Sequence, residues 1–179
     1  MAGEKKTRER RRSVAAVGVV VLLAAAVVLG QQQPSTFPQT EEQKLDVFIS
    51  EMLAAWQIGD LELLHKYHAE DVIVVSGAYE PPIIGWANYA QAYLRQRERV
   101  EQVRLERMNS ALTLRGNLAW VTYQWEFSGV MQGQAVGFRG HTTLVLEKRK
   151  DKWMVVHNHT STVGAAEPAA PTKPAKQGS

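Results

Sequence analysis

The chain has 179 residues, 45% of them hydrophobic, and no cysteine, which suits one domain with appended segments and excludes disulfides and thiolate chemistry. The formal charge of +3 is local: residues 1–12 carry six Lys/Arg against Glu4 and Glu9, whereas residues 31–179 carry 15 Lys/Arg against 16 Asp/Glu. A nucleic-acid footprint needs a basic face on the folded part, so this balance predicts no nucleic-acid partner.

The basic flank 1–12 precedes Ser13–Gly30, a charge-free run of Val, Ala, Leu and Gly. A helix of that length spans about 27 Å, enough for a bilayer core. Basic residues ahead of an apolar run predict an N-terminus inside and the remainder translocated. The run is longer than a signal-peptide core of about 7–15 residues, which favours an uncleaved anchor over a leader cleaved near Val28-Leu29-Gly30. Either way the expectation is extracytoplasmic (periplasmic): a single-pass membrane protein held through its N-terminal helix, or a secreted one. Residues 31–39 (Q-Q-Q-P-S-T-F-P-Q) read as a linker.

Thr40-Glu41-Glu42-Gln43 matches a capping box. Leu45, Phe48, Ile49, Met52, Leu53 and Trp56 follow at helical spacing, giving one apolar stripe. Gly59 stops that helix, and Asp60 caps a short second one that carries His65 and His68. Val72–Ser76 reads as a buried strand and 77–82 as a loop with two prolines. A third helix starts near Gly85, with Trp86, Tyr89, Ala90, Tyr93 and Leu94 on one face; the polar tips of its aromatics suit a cavity wall.

Beyond that helix the pattern turns to β. Val103–Arg115 and Leu118–Ser128 join at Gly116-Asn117, a hairpin dipeptide. Val121, Tyr123, Trp125 and Phe127 alternate with polar residues, so the aromatic face is the buried one. Gly133, Gly137 and Gly140 are spaced for a bent strand in a curved sheet.

The last two strands carry the candidate chemistry. Phe138–Arg149 joins Trp153–Ser161 through Lys150-Asp151. A two-residue turn pairs Arg149 with Lys152, hence Leu146 with Val155 and Leu144 with His157. One face then holds Thr142, Leu144, Leu146, Val155, His157 and His159; the other holds Arg139, His141, Thr143, Glu147, Asn158 and Thr160. The first is the more apolar, so both histidines are expected to point inward. The domain is taken as 40–162, followed by a disordered Pro/Ala-rich tail, 163–179.

The order and spacing of A-A-W-Q-I-G-D-L-E-L-L (54–64), Y-H-A-E-D-V (67–72), the Gly85 helix start, R-G-H-T-T-L-V-L-E-K-R (139–149) and W-M-V-V-H-N-H-T-S (153–161) resemble the SnoaL-like branch of the nuclear transport factor 2-like superfamily. That branch includes the association domain of calcium/calmodulin-dependent kinase. The resemblance implies an α+β cone: three N-terminal helices on a strongly curved, mostly antiparallel sheet enclosing a pocket. It also implies a homodimer or larger ring, and it implies no single activity.

The expected pocket residues are Tyr67, Trp86, Tyr89, Tyr123, Trp125, His157 and His159, facing a small, partly apolar ligand. His157, His159 and Asp71 are the catalytic candidates, since His titrates near neutrality and an isomerase of the ketosteroid type needs a carboxylate base. Asp71 has a rival role, ending a helix and bonding nearby backbone N–H groups. No metal or cofactor motif is present. The leading expectation is an extracytoplasmic binding and self-associating domain; the alternatives are a cofactor-independent lyase or isomerase, or a purely structural oligomerisation module.

Overall fold

Helices begin and end where side chains can take over their unpaired backbone groups. In this structure, a computed structural model that describes residues 39–77 and 80–167, Thr40 closes a reciprocal capping box with Gln43, and helix α1 runs Glu41–Ile58. Gly59 ends it at φ 87°, and the Asp60 side chain accepts from the Leu63 N–H at 2.8 Å to start α2, Leu61–His65. Strands β1 (His68–Val75) and β2 (Ile83–Ile84) follow, then α3 (Trp86–Arg97), β3 (Glu101–Arg115), β4 (Leu118–Met131), β5 (Gln134–Arg149) and β6 (Lys152–Ala165). The flank 1–12, the apolar run 13–30, most of the 31–39 linker and the tail from 168 lie outside the described residues. Among the described residues, no helix is long and apolar enough to cross a membrane.

The fold is an α+β cone. Its six strands form one mixed sheet in the order β2-β1-β6-β5-β4-β3, antiparallel except for β1 against β6, and the sheet does not close. Helix α1 lays Leu45, Ile49, Met52 and Ala55 onto Val121, Leu144, Leu146 and Val155 of the inner face. Arg107 of β3 clamps the helix from the side, bonding Asp46 at 2.7 Å and Ser50 at 3.0 Å. Two expected boundaries move. β1 starts at His68 rather than Val72, so His68 opens a strand instead of lying on a helix. β6 runs on to Ala165, with Gly164 opposite Arg139 and Ala165 opposite Phe138, so the domain extends into the segment expected to be disordered.

Bulges bend the sheet. On β3, an extra residue sits between Glu101 and Arg104 and another between Met108 and Ala111, with Gln102 and Asn109 at left-handed φ 51°. The bulge that matters most is on β6. The Lys150-Asp151 turn has the expected two residues, both left-handed at φ 49° and 65°, and Leu146 does pair with Val155. The ladder then slips at Val156, so that Val145 faces His157, Leu144 faces Asn158 and Thr142 faces Thr160. Directly paired residues share a face. His157 and His159 therefore lie on the outer face, and Asn158 and Thr160 on the inner one, the reverse of the sequence expectation. One unpaired residue is enough, because the side-chain period of a strand is two.

Gly140 of β5 lets the Trp125 ring of β4 and the Ser161 carbonyl of β6 both approach the strand closely. A Cβ there would overlap the Ser161 carbonyl oxygen and meet Trp125 Cζ2 at 2.5 Å. Gly140→Ala is expected to cost about 1–3 kcal/mol or more, read as a lower urea midpoint at unchanged m-value.

Candidate functional site

Beyond the packed end of the sheet, the helices and the inner face diverge around a cavity of ≈ 860 Å³. Its apolar wall includes Met52, Leu53, Trp56, Leu64, Val74 and Phe127. Polar groups converge from several elements: His68 from the start of β1, Tyr89 from α3, and Tyr123, Trp125, Thr142, Asn158, Thr160 and Thr162 from β4 to β6. Ser76, Glu80, Arg95 and Arg99 stand at the exposed rim.

The sheet side carries a connected set. Thr160 donates to Asn158 Oδ1 at 2.9 Å, and the Thr142 and Thr160 hydroxyls meet at 2.7 Å. A hydroxyl has one proton, so Thr142 is the donor of that second bond. Burial pushes the Tyr123 phenol up to about 12, with the Thr142 hydroxyl and the Arg107 charge opposing it. Burial also raises Tyr89, reinforced by Tyr123 and Tyr93. Both phenols are neutral hydrogen-bonding groups at pH 7.

His68 is 1% exposed and packs between Trp86 and Tyr89, at ring distances of 5.5 and 5.2 Å. Its Nδ1 lies 2.9 Å from the Leu64 carbonyl oxygen, while Nε2 has no partner among the described residues. Burial holds the imidazole down at about 4; the bond to Leu64 opposes this and the nearby His65 adds to it. The indole Nε1–H of Trp125 is also buried without a partner among the described residues.

Of the expected pocket residues, Tyr89, Tyr123 and Trp125 line this cavity. Tyr67 instead packs edge-on against Phe48 at 5.0 Å and donates to Glu51 at 3.1 Å. Trp86 is buried beneath His65, stacked at 4.4 Å. His157 and His159 lie on the far side of the sheet. Asp71 sits on the exterior of β1 in a bidentate pair with Arg149, at 2.7 and 3.1 Å, which lowers its carboxyl and keeps it away from the cavity. The sequence reading placed Thr142 on the inward face without naming it a pocket residue, and it missed His68, Asn158 and Thr160 as wall residues. His68 carried a signal, a histidine beside the apolar Ala69 and Val72, hidden by its position at a helix–strand border.

The SnoaL-like domain model matches residues 46–165, and the chain belongs to that family. No curated protein sequence matches it. Among solved structures it is similar to the hub of a calcium/calmodulin-dependent kinase II from S. rosetta, at 20% identity and TM-score 0.64 over 71% of this chain and 100% of that one. A nuclear transport factor 2-like superfamily protein from Salmonella enterica aligns at 20% identity and TM-score 0.62, over 77% and 96%. A ketosteroid isomerase-like protein from Erwinia carotovora aligns at 18% identity and TM-score 0.61, over 70% and 99%. At these identities the likeness is one of fold.

The depressed His68 value has a pH signature. Between pH 6.5 and about 4 the unfolded chain binds a proton there that the folded chain refuses, so stability falls as pH falls. From pH 7 to 4.5 the loss is expected to be about 2 kcal/mol, at about 1.36 kcal/mol per pH unit. The carboxylates of Glu41 and Asp71, held low by Lys44 and Arg149 respectively, add their losses only at lower pH. Urea unfolding at both pH values, compared with His68→Asn, isolates the effect; an equal fall in the variant would assign it elsewhere.

Proposed function

We propose that the SnoaL-like domain binds a small, partly apolar molecule inside the cone and self-associates through the outer face of its sheet. The cavity carries this reading: its volume lies within the range of about 300–1,000 Å³ usual for ligand sites, and its wall is apolar with a few convergent polar groups. Binding is favoured over isomerase-type proton abstraction. Among the described lining residues the carboxylate is Glu80, at the exposed rim. A lyase built on His157 or His159 would need them on the cavity wall, and they face the other way. The basic flank and apolar run at the N-terminus support a location outside the cytoplasm, anchored or released.

Self-association is supported by one row of paired residues crossing the outer face: Ile84, Ile73, His157, Val145, Trp120 and Thr113. Ile84 is 63% exposed, Trp120 40% and Ile73 39%. The same patch on two copies can meet about a two-fold axis. Likeness to a kinase hub points the same way.

A thermal-shift screen on residues 31–179 tests binding. A true ligand at 100 times its Kd stabilises by about 2.7 kcal/mol, and the shift should vanish when the cavity is filled by Thr160→Trp. A screen of apolar alcohols, phenols and ketones with no shift counts against it. For association, light scattering should give a dimer or larger species at tens of micromolar, and Trp120→Glu should give a folded monomer. A monomeric parent chain rejects the proposal.

A further inference from the structure

We propose that the cavity takes a neutral, largely apolar molecule bearing a hydroxyl group, and that this hydroxyl donates its hydrogen bond to His68 Nε2. The inference rests on the small-molecule reading above and adds the chemistry of the molecule that the wall accepts.

The direction of the bond follows from the other side of the ring. A carbonyl oxygen only accepts, so the contact to Leu64 requires the proton on Nδ1. A neutral imidazole has one N–H, and burial keeps this one neutral. Nε2 is therefore a bare lone pair: it cannot donate to a ligand carbonyl or carboxylate, and it asks for a donor. The ring lines the cavity, and among the described residues Nε2 is buried without a partner, a state that folded proteins rarely leave unanswered.

The rest of the wall narrows the donor. An ammonium would need a counter-charge, and among the described residues of the deep wall there is none. A hydroxyl meets both demands of the cavity, because it donates once and still accepts. Its lone pairs, or a second oxygen on the same molecule, suit the orphan indole N–H of Trp125. The amide NH2 of Asn158 is a further donor, since its Oδ1 is taken by Thr160. Alcohols and phenols on an apolar skeleton are the class these deep-wall groups recognise.

A matched pair tests this on the full chain, with 2-naphthol and 2-methoxynaphthalene as probes. The ether is the more apolar of the two, so hydrophobic transfer alone favours it. If His68 Nε2 accepts from the hydroxyl, 2-naphthol binds about tenfold or more tightly than the ether, which leaves that acceptor unpaired. The Nε2 nitrogen resonance of labelled protein moves with 2-naphthol and stays in place with the ether. His68→Asn keeps an N–H for the Leu64 carbonyl but has no atom at Nε2; it should bring the two probes to within about twofold, with the ether's affinity held. Equal binding by the parent chain with an unmoved Nε2 resonance overturns the hydroxyl inference and leaves the pocket reading standing. Binding of neither probe overturns the pocket reading and this inference with it. Should the variant fail to fold, the probe pair and the nitrogen resonance on the parent chain decide alone.

Discussion

Residues along a strand alternate between faces, so an extra residue in one strand exchanges the faces of everything beyond it. In β6 that residue is Val156. Before it, Val155 reaches the core opposite Leu146; after it, Asn158, Thr160 and Thr162 reach the cavity. Without the extra residue, His157 and His159 would occupy the wall, and the Thr142–Thr160–Asn158 hydrogen bonds could not form. The bulge thus joins two chemistries in one strand: an apolar half that packs against α1 and a hydroxyl- and amide-bearing half that lines open space. The second slip, between Arg139 and Gly140, continues the bend and brings the end of the strand over Phe138. Curvature and polarity of the wall have one origin.

The start of β1 answers with a single buried histidine, His68. A buried Nε2 with no partner among the described residues costs about 1–3 kcal/mol, and the folded state offsets this with the bond to Leu64 and the contacts to Trp86 and Tyr89. Those contacts also hold the ring so that it cannot turn to satisfy itself. A buried polar group kept in place by its neighbours is the arrangement expected where a ligand completes the bonding. Asp71 shows the opposite design. It is a carboxylate three residues from His68 and from Val74, the nearest cavity-lining residues of the same strand, yet Arg149 binds it on the exterior.

What the sequence disclosed and what it hid divide along a physical line. The Thr40–Gln43 box, the Gly59 stop, the Asp60 cap, the Gly116 turn and the Lys150-Asp151 turn were legible because each is decided within four or five residues. The aromatic alternation of Tyr123 and Trp125 was legible because a strand without a bulge keeps its parity over the stretch. The faces of His157 and His159 were not, because Val156 carries no mark of a bulge: it is β-branched and flanked by the same alternation that argued for a regular strand. His68 was obscured for a related reason. The end of α2 and the start of β1 are separated by two residues, and no local rule says on which side of that border the ring falls. Trp86 and Tyr67 were placed by type; only tertiary packing distinguishes a buried aromatic from one that lines a cavity.

The outer face divides at the same level as the inner one. Its apolar row, Ile84 to Thr113, passes behind Leu144 and Leu146, where the inner side is solidly packed. Behind the cavity the outer residues are Thr122, Gln124, His141 and Arg139, all polar. A second copy seated on the apolar row would press on the rigid half of the sheet and leave the bulged half free to accommodate a ligand. The proposed association and the proposed binding then draw on different residues of the same strands. This separation gives the two proposals independent tests: Trp120→Glu addresses the row without touching the wall, and His68→Asn addresses the wall without touching the row. Coupling between them would have to pass through β5 and β6, the strands that carry both, and His157, alone among the polar residues at the centre of the row, sits on the bulge where such coupling would begin.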